Sequence, residues 1–168
     1  MYDRHATYVR RVLFRVLGPD AELSDLIQDV FVIAIDSIER LEDPQALRAW
    51  LAGISVHRAR AAIRQKRRDR WFPLFPTAEL PAIEAPAQAP ELNEAVLATY
   101  RVLVRLPPDE RIPFSLRFIE GMDLAEVADA CRVSLATAKR RLARARKKFE
   151  TIARTVPELA DWIDRGLS

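Results

Sequence analysis

Two carboxylates one helical turn apart, Asp25 and Asp29, are the nearest approach in this sequence to a metal-binding or acid–base pair. Metal-assisted hydrolysis needs a third ligand, and acid–base work needs a partner of contrasting basicity; neither accompanies them. The one thiol, Cys131, stands far along the chain from both histidines, His5 and His57, so no nucleophile–base couple is legible. A lone cysteine makes no intramolecular disulfide, and with two histidines it supplies too few ligands for a transition-metal cluster. The expectation is a protein that is not an enzyme and needs no cofactor or metal.

What the residue types do offer is the chemistry of arginine and lysine toward phosphates and base edges. Residues 132–148 hold eight Lys/Arg and no acid, and residues 58–70 hold seven against one Asp. Arginine can donate two bonds to a guanine edge, and both cations displace counterions from a phosphate backbone. Thr137, Arg140, Arg141, Arg144 and Lys148 fall at i, i+3, i+4, i+7 and i+11 of one helical face, with Lys139 as a weaker candidate beside them. No acid within that stretch offers i,i+4 relief of its self-repulsion, which disfavours a merely solvated face. His57, Arg60, Arg64 and Arg67 share one flank of a second helix. That signal is weaker, because a helix C-terminus also collects cations to complement its dipole, so both phosphate binding and a solvated helix end remain open. Between the termini of the first 70 residues lies the opposite sign. Asp25, Gln28, Asp29 and Asp36 surround Val32, an acidic ridge that repels DNA and fits a protein contact or simple solubility.

These charges are concealed in the total. The 168 residues carry 27 Lys+Arg and 24 Asp+Glu, a net of +3, which divides into +3 for residues 1–70, −3 for 71–91, +4 for 92–150 and −1 for 151–168. Residues 71–91 hold five of the eleven prolines and no Lys or Arg. That density prevents a continuous helix or a central strand, so the segment reads as a semi-extended tether, or as an irregular stretch anchored by Trp71, Phe72 and Phe75. At about 3.1 Å per residue such a tether reaches roughly 65 Å, or about 19 base pairs.

The elements on either side are helical. Leu23, Leu26, Ile27, Val30, Phe31, Ala34, Ile38 and Leu41 recur at three- and four-residue intervals as one apolar stripe. A helix over about 2–17 stops at Gly18-Pro19. Asp43-Pro44 opens another, from about Gln45 to Arg68, with Leu47, Trp50, Leu51 and Ile54 inward. After the proline-rich stretch, one helix runs from Glu94 to Leu106 and stops at Pro107-Pro108, and a further one ends at Gly121. Asp123 and Glu126 have capping-box spacing. From Asp123 to Lys148 the pattern is a helix-turn-helix: Leu124, Val127 and Ala128 inward, a tight turn at Cys131–Ser134 plugged by Val133, then a helix capped by Ser134 with Leu135, Ala138, Leu142 and Phe149 buried. No segment alternates with a period of two, so the fold class is all-α, two small helical domains joined by a Pro-rich linker. The start MYDRHATYVRR does not read as a secretory leader and no apolar run approaches the about 20 residues of a membrane span, so a cytoplasmic protein without membrane insertion is expected.

The strings AELSDLIQDVFVIAIDSIERL, LRAWLAGISVHRARAAIRQKRR and LPPDERIPFSLRFIEGMDLAEVADACRVSLATAKRRLARARKKF, in that order, resemble the bacterial extracytoplasmic-function (ECF) sigma factors, RNA polymerase sigma subunits that direct promoter-specific initiation. The likeness covers about residues 5–150. It implies that residues 1–70 are sigma region 2, for core polymerase docking and −10 recognition and melting. It likewise implies that 71–91 are the linker, 92–153 region 4 with the −35 reader, and 154–168 a short helical tail that packs on region 4 or binds a regulator. By the same resemblance Asp25, Gln28, Asp29 and Val32 dock on the polymerase clamp helices, region 4 meets the flap, and the 38–46 loop with His57, Arg60, Arg64 and Arg67 serves the −10 region. Thr137, Lys139, Arg140, Arg141, Arg144 and Lys148 read the −35 element. Core polymerase and promoter DNA are the implied partners, with an anti-sigma factor or coactivator as a regulatory class. His57 stands where the family usually has asparagine, Ala61 where it has a polar or acidic residue, and the 38–46 loop lacks the usual aromatic, so the −10 base preference is not carried over. A stand-alone helix-turn-helix regulator is the competing class; it has no use for the acidic ridge.

Overall fold

The computed structural model describes residues 2–71 and 94–159, and all of the regular structure there is helical. Helix α1 (Tyr2–Leu17) ends at Gly18, whose φ of +79° suits glycine. Helix α2 (Leu23–Asp36) gives way to a 3-10 turn at Ile38–Arg40. The Asp43 carboxylate then accepts the Gln45 amide at 2.8 Å, and Pro44 begins a second 3-10 turn that runs directly into α3 (Leu47–Trp71). The expected start near Gln45 is therefore a tight turn first and an α-helix from Leu47. In the C-terminal half, α4 (Glu94–Leu103) stops three residues sooner than expected, and successive i to i+3 bonds at Arg105 and Leu106 tighten the chain before Pro107. Helix α5 (Pro108–Phe114) contains Pro113, which has no amide hydrogen to donate back along the helix, and the next turn widens into a π-turn at Ser115–Ile119. Helices α6 (Leu124–Cys131) and α7 (Leu135–Ala153) complete the order.

Helices α1, α2 and α3 pack around Val9, Leu13, Val16, Val30, Phe31 and Leu51, the interior the apolar stripe anticipates. Three members of that stripe depart from it: Leu23, the first residue of α2, is only partly buried, and beyond the helix end at Asp36, where the period no longer applies, Leu41 is partly buried and Ile38 exposed. A second interior gathers Tyr100, Leu103, Leu106, Phe114 and Phe149, with Leu159 of the C-terminal tail buried against it. The rest of the tail, with Trp162, Ile163 and Leu167, lies outside the described residues, as does the proline-rich segment apart from Trp71.

The two helical modules share a seam that a tether alone does not anticipate. Ile112, Leu116, Met122, Val127, Ala130 and Cys131 of the C-terminal module belong to the N-terminal interior. Arg111, buried, donates from Nε to the Val16 carbonyl at 2.9 Å and from Nη2 to the Leu17 carbonyl at 2.8 Å, satisfying carbonyls that end α1 without helical partners. A Cβ on Gly18 would lie 2.8 Å from the Tyr100 ring, so glycine is required there twice over, by φ and by space. Phe14 meets the same ring edge-on at 5.8 Å. Fully burying a large aliphatic side chain contributes about 1.5–3 kcal/mol. An ion pair open to solvent on its arginine side, such as Arg11–Glu120, contributes about 1 kcal/mol. The apolar seam therefore holds the modules together, and the surface pairs orient them.

Candidate nucleic-acid interface

The helix-turn-helix is built by caps at each end of its turn. Asp123 accepts the Glu126 amide at 2.8 Å while Glu126 accepts the Asp123 amide at 2.7 Å, closing the expected capping box. Arg132 ends α6 in the left-handed region (φ 53°), a position that ordinarily favours glycine or asparagine. The Val133 amide reaches back to the Ala128 carbonyl at 3.0 Å, and Ser134 Oγ accepts the Thr137 amide at 3.2 Å to open α7.

Helix α7 buries Ala138, Leu142, Ala145, Phe149 and Ala153. Leu135, expected in that stripe, is 46% exposed: it is the first residue of the helix, one turn outside the packed region. On the opposite side Lys139, Arg140 and Arg144 project into solvent. Thr137 and Arg141 are less available than the helical face implies. The Thr137 hydroxyl accepts from Ser134 at 3.0 Å within the cap, and the Arg141 side chain is 19% exposed and paired with Asp109 at 3.5 Å. Glu110 lies 3.5 Å from Arg144 and 2.8 Å from Lys148. The self-repulsion that looked unrelieved along α7 is relieved from α5, about thirty residues upstream, where a local search for i,i+4 partners finds nothing. Lys147 escaped the sequence reading; it is exposed and continues Arg140 and Arg144 at i, i+4, i+7, a period that the eight-cation count obscured.

The basic end of α3 divides by flank. His57, Arg64 and Arg67 are exposed, as the reading of one open flank requires. Arg60, on the same flank, is partly buried and lies 3.5 Å from Asp109 of the other module. Two further cations are tied to their own module. Arg58 bonds Asp29 of α2, and Lys66 contacts both oxygens of Asp20 at 2.8 and 2.6 Å.

On α2, Asp25 and Gln28 are exposed. Asp29 is partly buried, its carboxylate engaged by Arg58, so it shapes the α2–α3 packing as well as the surface. Val32 is 57% and Ile35 63% exposed, and with Ile38 they form an apolar strip bordered by acids. Ile38 was missed as a surface residue because an apolar residue at helical spacing reads as core, and Ile35, outside that stripe, drew no reading at all. Contiguous exposed apolar residues rimmed by polar ones mark protein contacts.

Cys131 is buried at the seam, as its place in the turn anticipates. Desolvation pushes its thiol up to about 11, against the pull of Arg60 and Arg141 and with a push from Asp109, so it stays protonated and unreactive near neutral pH. Among the described residues no group of three metal-ligating side chains converges, and no helix is long and apolar enough to cross a membrane.

Comparison with known proteins agrees with this geometry. The family models for Sigma-70 region 2 and Sigma-70 region 4 match residues 1–69 and 97–149 respectively. The ECF RNA polymerase sigma factor SigJ of Mycobacterium tuberculosis is 30% identical over 146 residues, covering 83% of this chain and 46% of that protein. The chain thus spans about half the length of SigJ. The RNA polymerase sigma factor CarQ of Myxococcus xanthus is 29% identical over 153 residues, covering 90% of this chain and 86% of that one. In fold, the chain is similar to the sigma factor RpoE of Bartonella quintana, solved in complex with the anti-sigma factor NepR, with a TM-score of 0.65 at 21% identity over 89% of this chain and 92% of that one. A second structure, CnrH in complex with the cytosolic domain of CnrY, gives the same TM-score at 22% identity over 92% and 86%. With both sigma regions matched in order on the two helical modules that carry the basic helices, the chain belongs to the ECF sigma factors of RNA polymerase.

Proposed function

We propose that the chain acts in the cytoplasm as a promoter-specificity subunit, docking on core RNA polymerase through α2 and presenting α3 and α7 to the −10 and −35 elements. The carrying observation is the segregation of surface by sign. Exposed apolar Val32 and Ile35 stand among Asp25 and Asp36 on one helix, while Lys139, Arg140 and Lys147 face solvent on another, with Arg144 exposed beside them and paired to Glu110. An acidic–apolar ridge suits a protein partner, and a basic face at helical spacing suits a major groove. On this reading residues 1–70 form the docking and −10 module, 92–153 the −35 module, and 71–91 the connection. Arg140 and Arg144 contact bases, Lys139, Lys147 and Lys148 contact phosphates, and Arg141 joins them once released from Asp109. His57, Arg64, Arg67 and Arg60 track the −10 region. No side chain has an assigned catalytic step; the bond-making chemistry belongs to the polymerase. A regulator of the anti-sigma or coactivator class is inferred as well, since RpoE of Bartonella quintana was captured with one. The test is transcription reconstituted from core polymerase and this chain. Initiation that requires the chain, and that Val32→Glu abolishes while DNA binding by the chain survives, is the expected result; initiation indifferent to the chain would sink the proposal.

A further inference from the structure

The acid pair that opens α5, Asp109 and Glu110, touches four of the cations expected to meet DNA. Glu110 pairs with Arg144 and Lys148 within the C-terminal module. Asp109 does something different: Oδ1 lies 3.5 Å from Arg60 Nε of α3 and Oδ2 lies 3.5 Å from Arg141 Nη2 of α7. One carboxylate thus bridges a candidate −10 residue and a candidate −35 residue. Closing the modules brings those two guanidiniums to one place, where they repel unless an anion stands between them. The bridge is loose. Arg60 Nε and Nη2 and Arg141 Nη1 have no hydrogen-bond partner, so donors suited to phosphate oxygens are held near an anion without being satisfied by it.

On the sigma-factor reading above, we propose that Asp109 is a built-in stand-in for DNA phosphate, the counter-ion that lets the free chain close its two reading modules on one another and that promoter DNA displaces. In the closed chain Arg60 and Arg141 are withheld from DNA, while Arg64, Arg67, Arg140 and Lys147 stay outward. A closed chain therefore binds DNA weakly and through few phosphates. Opening, on core polymerase or under competition from the backbone, adds the two withheld contacts.

The test uses the full chain and a fluorescent duplex of random sequence, with affinity measured against salt concentration. Asp109→Asn removes the bridging charge and is expected to tighten binding by about threefold to tenfold at low salt. It should also steepen the dependence of log affinity on log salt by about 0.9 for each arginine freed, close to two in all. Asp129→Asn removes an equal charge from an exposed acid on α6 and serves as the matched control, expected to leave the slope alone. Arg111→Gln cuts the bonds to the Val16 and Leu17 carbonyls without touching the acids, and is expected to raise the small-angle scattering radius and the DNA affinity together. Circular dichroism confirms that each variant is folded. An Asp109→Asn slope equal to that of Asp129→Asn, or an Arg111→Gln chain that expands without binding DNA more tightly, would overturn the proposal. The sigma-factor reading fails separately, if core polymerase initiates no differently with the wild-type chain while the Asp109 effect persists.

Discussion

Helices α3 and α7 both crowd cations onto one helix, and they neutralise the excess differently. Along α3 the compensation comes from the same module: Asp29 holds Arg58, and Asp20 holds Lys66 with Glu22 3.6 Å away. Those pairs lie off the flank of His57, Arg64 and Arg67, which stays open. Along α7 the compensation comes from the neighbouring helix, and it falls on the reading cations themselves, Arg141, Arg144 and Lys148. An acid that neutralises a structural cation stabilises the fold. One that neutralises a reading cation also competes with DNA, and only α7 and Arg60 carry that second arrangement.

The largest expected effect lies at the seam between the two modules, where the end of α1 meets α4. Gly18→Val forces a β-branched residue to φ +79° and drives its Cβ into the Tyr100 ring, costing about 2–4 kcal/mol in urea unfolding. Loss confined to a few tenths would show that the seam is not part of the cooperative fold. Next come two matched deletions. Asp20→Asn and Glu110→Gln each leave cations beside a buried, neutralised partner and cost about 1–3 kcal/mol of stability, but only Glu110→Gln should tighten binding to random duplex DNA. Equal DNA effects from both would erase the distinction between structural and competing acids. Arg140→Ala should weaken initiation at −35-dependent promoters by about 1–3 kcal/mol, against about 0–0.5 kcal/mol for Arg146→Ala, whose guanidinium is already paired with Glu150 at 2.8 Å. Comparable losses would place the reading face elsewhere on α7.

The smallest effect concerns Cys131. Because burial raises its pKa from 9.0 to about 11, the folded chain holds the thiol proton more tightly than the unfolded chain does. That contribution to stability is fully present below pH 9 and is lost as pH rises toward 11. The difference in unfolding free energy between the wild-type chain and Cys131→Ala should therefore shrink across that window. A difference that is flat in pH would mean the thiol is solvated at the seam.

Much of this was legible one helix at a time. The stop at Gly18, the Asp43 cap, the Asp123–Glu126 box and the Ser134 cap are local devices with short sequence signatures, and each stands where the residues put it. Periodicity failed where a helix ended or a face had no partner. It placed Ile38 and Leu135 inside, and it left Ile35 unremarked although it is the most exposed large apolar side chain described. The candidate site was legible as a list of cations but not as an electrostatic state. Asp109, 49 residues from Arg60 and 32 from Arg141, bears on them only through the packing of α5 against α3 and α7. The seam was equally hidden: Val127 read as ordinary core of its own helix-turn-helix, and nothing singled out Ile112 or Leu116, yet all three complete the N-terminal interior.

On the proposed function, α3 and α7 read two separate promoter elements on behalf of RNA polymerase. Sequencing the 5′ ends of transcripts made from genomic DNA by core polymerase with and without the chain tests it most directly. Chain-dependent starts are expected, each preceded by two recurring elements whose separation is within the about 19 base pairs that 21 residues at about 3.1 Å each could span. Unchanged start sites, with the chain alone bound to single duplex sites as an oligomer, would contradict it and leave a stand-alone helix-turn-helix regulator.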